Sequence, residues 1–179
     1  MYCIRPAEPQ DALAIAEVHV ASWRTTYRGI VPDVYLSGMH PDRVAARWRV
    51  AISNSELLLV ASSTNSKLVG FIVGGVIRSP LPGYDAEVYA MYLLAEAQRH
   101  GIGSALLREL AKTLWQRKLR SLSVWVLAAN SAQKFYQRMG AVPLSERIME
   151  IGGAPLRALA FGWPDMSCLL SHSDEAEKR

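Results

Sequence analysis

The chain has 179 residues and a formal net charge of +4, and 50% of its residues are hydrophobic. This length suits one domain with a sizeable core, and no apolar run approaches the roughly 18 residues that span a bilayer. The basic residues are spread along the chain without a run of five or more. We therefore expect neither a nucleic-acid partner nor a membrane partner.

The two cysteines lie near opposite ends of the chain. Cys3 and Cys168 belong to no Cys-x-x-Cys motif or Cys/His cluster, so the sequence predicts no metal centre. We expect Cys3 to be buried in the first strand. Arg5, Glu8 and Asp11 occupy the region where a secretory signal would be apolar, which favours a cytoplasmic location of bacterial type.

The first third of the chain has the pattern of a strand followed by helices. Tyr2 to Arg5 alternates weakly and predicts the first strand. A helix is expected from Asp11, a good N-cap residue. Its inward face has spacings of three and four and consists of Leu13, Ala16, Val20 and Trp23. A second helix is predicted from Pro41 to Ser53, with proline in its first turn. Its inward residues are Val44, Trp48 and Ala51.

The period then changes to that of β-strands. Glu56 to Ser62 and Leu68 to Arg78 are predicted to form a hairpin around a polar turn at residues 64–67. Tyr84 to Leu94 is predicted as the fourth strand. After a glycine-rich segment the pattern is helical to about Arg117, with Leu107, Leu110, Ala111 and Leu114 on one face.

The last third predicts a mixed α/β arrangement. A short strand is expected over residues 121–126, a helical segment over 130–141, and two strands within 143–163. Gly152-Gly153 is suited to the hairpin turn between those strands. We expect one domain over residues 1–170 and a disordered tail over residues 171–179.

The glycine-rich segment, Gln98-Arg99-His100-Gly101-Ile102-Gly103-Ser104, predicts an anion site. It connects a strand to a helix, and the first amides of a helix lack intrahelical acceptors and favour negative charge. A dinucleotide fingerprint would need a third glycine where Leu106 stands, and a P-loop would need Gly-Lys-Ser/Thr. Because both motifs fail, the segment indicates a pyrophosphate site of another kind.

The spacing Gln/Arg-x-x-Gly-x-Gly resembles the acetyl-CoA motif of the GCN5-related N-acetyltransferases (GNAT family), matched by Gln98, Gly101 and Gly103. Residues 130–141, which start with Asn and carry Phe-Tyr before Gly, are similar to the late helix of this family. Residues 21–32 are similar to the loop after the first helix in many bacterial members, and residues 161–165 resemble the last strand. The resemblance therefore extends from about Ile4 to Asp165.

This resemblance implies the GNAT-type acyl-CoA N-acyltransferase fold. In that fold a mixed, mostly antiparallel central sheet splays between its fourth and fifth strands, has helices on both faces and holds acetyl-CoA in the cleft. It implies that the backbone of Met91, Tyr92 and Leu93 pairs with pantetheine. It also implies a pyrophosphate site formed by Arg99, His100, Gly101, Ile102, Gly103 and Ser104. Asn130 matches an asparagine that contacts the pantetheine arm, although its alternative role is to cap the following helix.

Two residues are candidates for the chemistry. Glu87 is expected on the cleft side of the fourth strand, together with Tyr89, Met91 and Leu93, where it would remove a proton from the amine. Its alternative is a strand-end carboxylate that reaches solvent or pairs with an arginine. Tyr136 matches the residue that donates a proton to the coenzyme A thiolate in the family, and its alternative is a place in the core.

The acceptor side is defined less well. Trp23 and Tyr27 are candidates for the wall of the amine pocket, with an ordinary hydrophobic lid as the alternative. No acidic cluster indicates a polyamine or aminoglycoside acceptor. The sequence therefore predicts an acetyl-CoA-dependent N-acetyltransferase that acts on a primary amine of a small molecule or peptide by direct attack in a ternary complex. A non-catalytic acyl-CoA-binding sensor or regulatory module is the alternative, and a homodimer is expected only because it is common in this family.

Overall fold

The computed structural model describes residues 2–54 and 56–170. Its seven strands are β1 (Tyr2–Pro6), β2 (Leu57–Ser63), β3 (Leu68–Val76), β4 (Ala86–Leu93), β5 (Leu122–Leu127), β6 (Val142–Ile151) and β7 (Ala154–Trp163). Its α-helices are α1 (Ala12–Thr26), α2 (Asp33–Ser37), α3 (Pro41–Ser53), α4 (Ile102–Gln116) and α5 (Gln133–Arg138). The predicted elements are all found, with boundaries that move by a few residues. The predicted tail over residues 171–179 lies outside the described range.

The strands form one sheet in the order β1-β2-β3-β4-β5-β7-β6. All neighbouring pairs are antiparallel except β4 and β5, which are parallel. These two strands pair only where Ala86–Val88 lies beside Leu122–Val124. Beyond Val88 they diverge and open a V-shaped cleft. This arrangement confirms the predicted mixed, mostly antiparallel sheet that splays between its fourth and fifth strands.

Helices cover both faces of the sheet. The predicted apolar face of α4 is fully buried against one face of the sheet and comprises Leu107, Leu110, Ala111 and Leu114. Helices α1 and α3 cover the other face, where Trp48 packs on Phe71. Within the described residues, no helix is both long and apolar enough to cross a bilayer.

Two predictions of burial were wrong. Leu13 is 42% exposed, because α1 packs through its smaller residues Ala12 and Ala16 together with Ile15. Cys3 is exposed because β1 is an edge strand, and Cys168 is exposed as well. Both cysteines are free thiols.

A β-bulge interrupts β4 at the position where the cleft opens. Val73 on β3 pairs with Ala90, whereas the next residue, Gly74, pairs with Val88, so Tyr89 is an extra residue in β4. A bulge disrupts the alternation of side chains along a strand. Tyr89 and Ala90 accordingly both pack toward α1 and α3, whereas Met91 packs toward α4.

Candidate active site

A cavity of about 860 Å³ fills the splay between β4 and β5 and extends to the first turn of α4 and to α5. Most of the predicted site residues line this cavity: Tyr27, Met91, Tyr92, Leu93, Arg99, Gly101, Gly103, Ser104, Asn130 and Tyr136. Four of them do not line it: Trp23, Glu87, His100 and Ile102. The tertiary structure therefore brings together residues that are more than 100 positions apart in the sequence.

The first turn of α4 presents its amides to the cavity. Gly101 is the N-cap residue and has a φ of +78°, a left-handed conformation that favours glycine. The first backbone hydrogen bond of the helix runs from the Ala105 amide to the Gly101 carbonyl. The amides of the preceding residues are therefore available to an anion. Ile102 contributes only its backbone, because its side chain is buried in the core.

Gly103 keeps the wall of the cavity open. A Cβ atom at this position would lie 3.6 Å from Phe135 and 3.7 Å from Leu93. These are ordinary van der Waals distances, so the protein itself tolerates a small side chain there. A longer side chain would occupy the space in front of the helix amides.

The diverging part of β4 offers backbone groups to the cleft. The Leu94 amide bonds to Val69 on β3, so the N–H and C=O groups of Leu93 and Met91 point away from β3 and into the cleft. Those of Tyr92 point toward β3, so within this segment Met91 and Leu93 supply the backbone groups on the cleft side. The Leu93 carbonyl already accepts hydrogen bonds from Ser22 Oγ (3.0 Å) and Gln98 Nε2 (3.3 Å). Sequence reasoning did not identify Ser22 as a site residue, although it lies in the segment 21–32 that resembles the family.

Asn130 links the cleft to helix α1. Its side-chain Oδ1 accepts a hydrogen bond from the Ala132 amide (2.9 Å), and its Nδ2 donates to the Tyr27 hydroxyl (3.3 Å). Asn130 therefore stabilises the turn before α5 and not the helix itself, whose N-cap residue is Ala132, and it also positions Tyr27. Helix α5 is shorter than predicted, because residues 130–132 form the turn that this asparagine stabilises.

Tyr136 is buried in the wall of the cavity, 5% exposed. Loss of hydration raises the pKa of its phenol well above the ordinary value, and the neighbouring Tyr27 adds to this effect. The pKa of Tyr27 is also raised by burial, against the opposing effect of the Asn130 hydrogen bond. Both phenols are therefore neutral hydrogen-bond donors throughout the physiological pH range.

Glu87 lies outside the cavity, contrary to its predicted position. Its Oε2 atom accepts hydrogen bonds from the backbone amides of Arg78 (3.0 Å) and Ser79 (2.8 Å). The prediction that it shares a side with Met91 and Leu93 was wrong, because the bulge at Tyr89 reverses the alternation beyond this point. The carboxylate holds the loop between β3 and β4.

The acceptor candidates differ in their positions. Tyr27 lines the cavity, whereas Trp23 does not. Trp23 packs against Tyr27, and the centroids of their two rings are 4.8 Å apart. Trp125 on β5 and Tyr89 on β4 line the same space. Tyr89 was expected on the cleft side of its strand, whereas sequence reasoning missed Trp125. No local pattern identifies Trp125, because its position depends on how the strands diverge.

The charge of the cavity suits an anionic ligand. Its charged lining residues in the described part of the chain are Arg99, Lys134 and Arg138, and no carboxylate is among them. Lys134 and Arg138 are four residues apart on α5, a helical spacing that the sequence already contained. Among residues 2–54 and 56–170, no group of three or more His, Cys, Asp or Glu side chains is placed to hold a metal ion.

Comparisons with known proteins agree with this geometry. The profile described as the Acetyltransferase (GNAT) family matches residues 17–141. The chain is 40% identical to the uncharacterized N-acetyltransferase YuaI of Bacillus subtilis, over 94% of this chain and 96% of that protein. It is 27% identical to the spermidine N(1)-acetyltransferase of Thermoplasma acidophilum, over 76% of this chain and 86% of that protein.

A solved structure shows the same fold. The crystal structure of the PaiA N-acetyltransferase of Thermoplasma acidophilum, in complex with coenzyme A, superposes with a TM-score of 0.66 at 23% identity. The match covers 89% of this chain and 98% of that one.

The chain belongs to the GNAT family of acetyltransferases. It is accordingly an N-acetyltransferase with acetyl-CoA as its cosubstrate, which confirms the activity predicted from the sequence. The alternative of a non-catalytic acyl-CoA-binding module is not favoured.

Proposed function

We propose that the protein transfers the acetyl group of acetyl-CoA to a primary amine of a small molecule or peptide, by direct attack in a ternary complex within the splayed cleft. One observation carries this proposal. A single cavity joins the free amides of α4, the unpaired edge of β4 and the Tyr136 side chain. The acyl donor and a phenol that can assist its departure therefore share one space.

The cofactor-binding roles follow from the lining of the cavity. The amides of Ile102, Gly103 and Ser104 would hold the pyrophosphate, with Arg99 as a neighbouring cation. The backbone of Met91 and the amide of Leu93 would pair with the pantetheine arm, because the Leu93 carbonyl already accepts two hydrogen bonds. His100 is exposed beside the loop and would contribute to the electrostatic attraction. Asn130 would act on the pantetheine through the Tyr27 hydroxyl that it positions.

The reaction forms one bond and breaks another. The amine lone pair attacks the acetyl carbonyl carbon, an N–C bond forms, and the C–S bond breaks with its electron pair going to sulfur. The amine loses one proton and the sulfur gains one, so that the products are an amide and coenzyme A. An amine with a pKa of about 10.4 is neutral only about once in a thousand molecules at pH 7.4, so proton removal matters. Glu87 lies outside the cavity. We therefore propose that water molecules in the cleft, and not the Glu87 carboxylate, take the proton from the amine.

Tyr136 would stabilise the departing thiolate by a hydrogen bond. An ordinary phenol has a pKa about 1.5 above that of a thiol, so complete proton transfer is uphill by about 2 kcal/mol. Burial raises the pKa of Tyr136 further and makes complete transfer less favourable. A hydrogen bond that strengthens as charge develops on sulfur lowers the barrier without that cost.

The charge of the cavity does not favour a polyamine acceptor. One relative is named for spermidine, a polycation, whereas the charged lining residues of this cavity within the described chain are all cationic. A cytoplasmic location and a homodimer stay predictions.

The test is the substitution Tyr136→Phe. We expect kcat to fall by roughly ten- to a hundredfold, because one hydrogen bond to the developing charge is lost, while the Kd of coenzyme A changes less than about twofold. Thiol release with acetyl-CoA and a panel of amines measures kcat, and calorimetry measures Kd. Tyr84→Phe is the matched control, because it removes a hydroxyl that does not line the cavity. Wild-type turnover in Tyr136→Phe would show that the role is misassigned.

A further inference from the structure

Where β4 and β5 diverge, an arginine side chain stacks on an aromatic ring of each strand. Tyr89 on β4 and Trp125 on β5 line the cavity from opposite sides of the divergence. The Arg78 Cζ atom lies 3.6 Å from the ring centroid of Tyr89, and the Arg147 Cζ atom lies 3.9 Å from that of Trp125. This part of the cleft faces α1 and α2, because Trp125 packs in the same cluster as Tyr27.

The two arginines differ in how their charges are compensated. The Arg78 guanidinium forms an ion pair with Glu56 at 2.9 Å. No carboxylate of the described residues forms an ion pair with Arg147. Its Nη2 atom lies 3.5 Å from Ser79 Oγ, and its Nε has no hydrogen-bond partner in the described chain. Arg147 therefore contributes an uncompensated positive charge.

Two acids of this region are engaged elsewhere. Glu146 precedes Arg147 on β6, so its side chain lies on the opposite face of the sheet, where it pairs with Arg157. Glu87 has its Oε2 atom bound by the amides of Arg78 and Ser79. The Trp125 Nε1 donor also has no partner among the described residues. Arg147 is not among the residues that line the cavity, but it stacks on Trp125, which does. Together the two side chains place beside the cavity a positive charge and two hydrogen-bond donors that are unpartnered within the described chain.

We propose that Arg147, held on Trp125, binds an oxyanion of the acceptor, so that the acceptor is a small primary amine that also carries a carboxylate or phosphonate group. The Arg147 Nε atom is buried, so such a group would bind to the Nη1 and Nη2 atoms, while the ring holds the plane of the guanidinium. A polyamine would instead place a second positive charge near Arg147 without a carboxylate to receive it. This inference rests on the proposed function, because it assigns the acceptor half of the same cleft.

The experiment compares matched amines and matched variants. The amines are L-amino acids, the carboxamide and the 1-aminophosphonate analogue of each, and spermidine, all assayed by thiol release with acetyl-CoA. We expect Arg147→Gln to lower kcat/KM for the anionic amines by about ten- to a hundredfold. The carboxamides should change by less than about twofold, so the ratio of acid to amide isolates the contact with the anion. The ratio of acid to phosphonate shows which oxyanion the site prefers.

Two further variants serve as controls. Arg147→Lys keeps the charge but loses the planar fork, so it should recover only part of the preference for anionic amines. Arg157→Gln removes one positive charge from the same hairpin on the opposite face of the sheet, and the preference should remain. An unchanged preference in Arg147→Gln, or a wild-type preference for the carboxamides or for spermidine, would overturn the inference and leave N-acetyl transfer intact.

A binding measurement separates this inference from the proposed function. If no amine of the panel causes thiol release, the proposed transfer to these amines is wrong. Calorimetry on the coenzyme-A-loaded protein then tests whether the anionic amines bind at Arg147. Binding of the anionic amines that is lost in Arg147→Gln would support the anion site on its own. Equal binding by the wild type and Arg147→Gln, or no binding by either protein, would overturn it.

Discussion

His19 is a titratable side chain that lies among aromatic rings and outside the cleft. Its ring stacks on Tyr92 with centroids 4.9 Å apart and planes 13° apart, and it also contacts Trp23 and Trp48. Burial lowers its pKa from 6.5 to about 4, and the positive charge of Arg47 contributes to this shift. The folded protein therefore holds this imidazole in its neutral form.

This shift predicts a loss of stability in mild acid. The unfolded chain binds a proton at His19 below about pH 6.5, whereas the folded chain does so only near pH 4. The contribution of His19 to stability is therefore fully present above pH 6.5 and is lost as the pH decreases to about 4, by up to about 3 kcal/mol. His19→Phe keeps a ring but cannot titrate, so its free energy of unfolding should fall less over this range. Urea unfolding at pH 7.5, 5.5 and 4.5 measures the difference.

The exposed His40 provides the control for this measurement. His40→Phe should follow the wild-type pH dependence, because it replaces an exposed ring and leaves His19 and its aromatic neighbours in place. Parallel curves for the wild type and His19→Phe would contradict the assignment.

At the scale of elements, the first turn of α4 is the part of the site that one residue can block. Gly103 faces the cavity, and a long side chain at this position would fill the space in front of the helix amides. We expect Gly103→Leu to weaken coenzyme A binding by at least about a hundredfold. The thermal midpoint of the ligand-free protein should be retained, because the nearest neighbours of a Cβ atom are 3.6 Å away.

The control for this substitution lies on the same turn. Ala105 is exposed and does not line the cavity, so Ala105→Leu should leave coenzyme A binding unchanged. Calorimetry measures both variants. Undiminished affinity in Gly103→Leu would remove the helix amides from the proposed pyrophosphate site.

The elements themselves were predictable because their signals are local. Helix α3 has the predicted boundaries, and the Gly152-Gly153 turn joins β6 and β7 as expected. The predicted alternation of side chains along β4 was wrong beyond Tyr89. The bulge at this residue depends on pairing with β3, and the sequence of β4 contains no signal for it. Because of the bulge, the Glu87 side chain does not lie on the predicted cleft side of β4, and its carboxylate binds the loop between β3 and β4.

At the scale of the whole molecule, the two halves of the sheet meet along a short seam. Strands β4 and β5 pair only at Ala86–Val88 and Leu122–Val124, and Ser123 Oγ adds a hydrogen bond to the Ala86 carbonyl (3.0 Å). Coenzyme A in the cleft would contact groups from both sides of this seam. Its binding should therefore stabilise the molecule as a unit.

This stabilisation can be measured by thermal unfolding. At a coenzyme A concentration of about 100 times Kd, we expect a gain of about 2.7 kcal/mol. For a chain of this size the gain corresponds to a rise in Tm of roughly 5–10 °C. Pantetheine, which lacks the pyrophosphate, should produce a smaller rise at the same concentration. Equal shifts for the two ligands would show that the α4 amides contribute nothing to binding.

The sequence by itself determined the order of elements, the glycine turn before α4 and the family to which the chain belongs. These features depend on side-chain periodicity and on short motifs within one segment. Only the tertiary structure decided which side of β4 faces the cleft, that Asn130 holds Tyr27, and that Arg147 lies on Trp125. Those contacts join residues that are far apart in the chain, and they depend on strand register and on the angle at which β4 and β5 diverge.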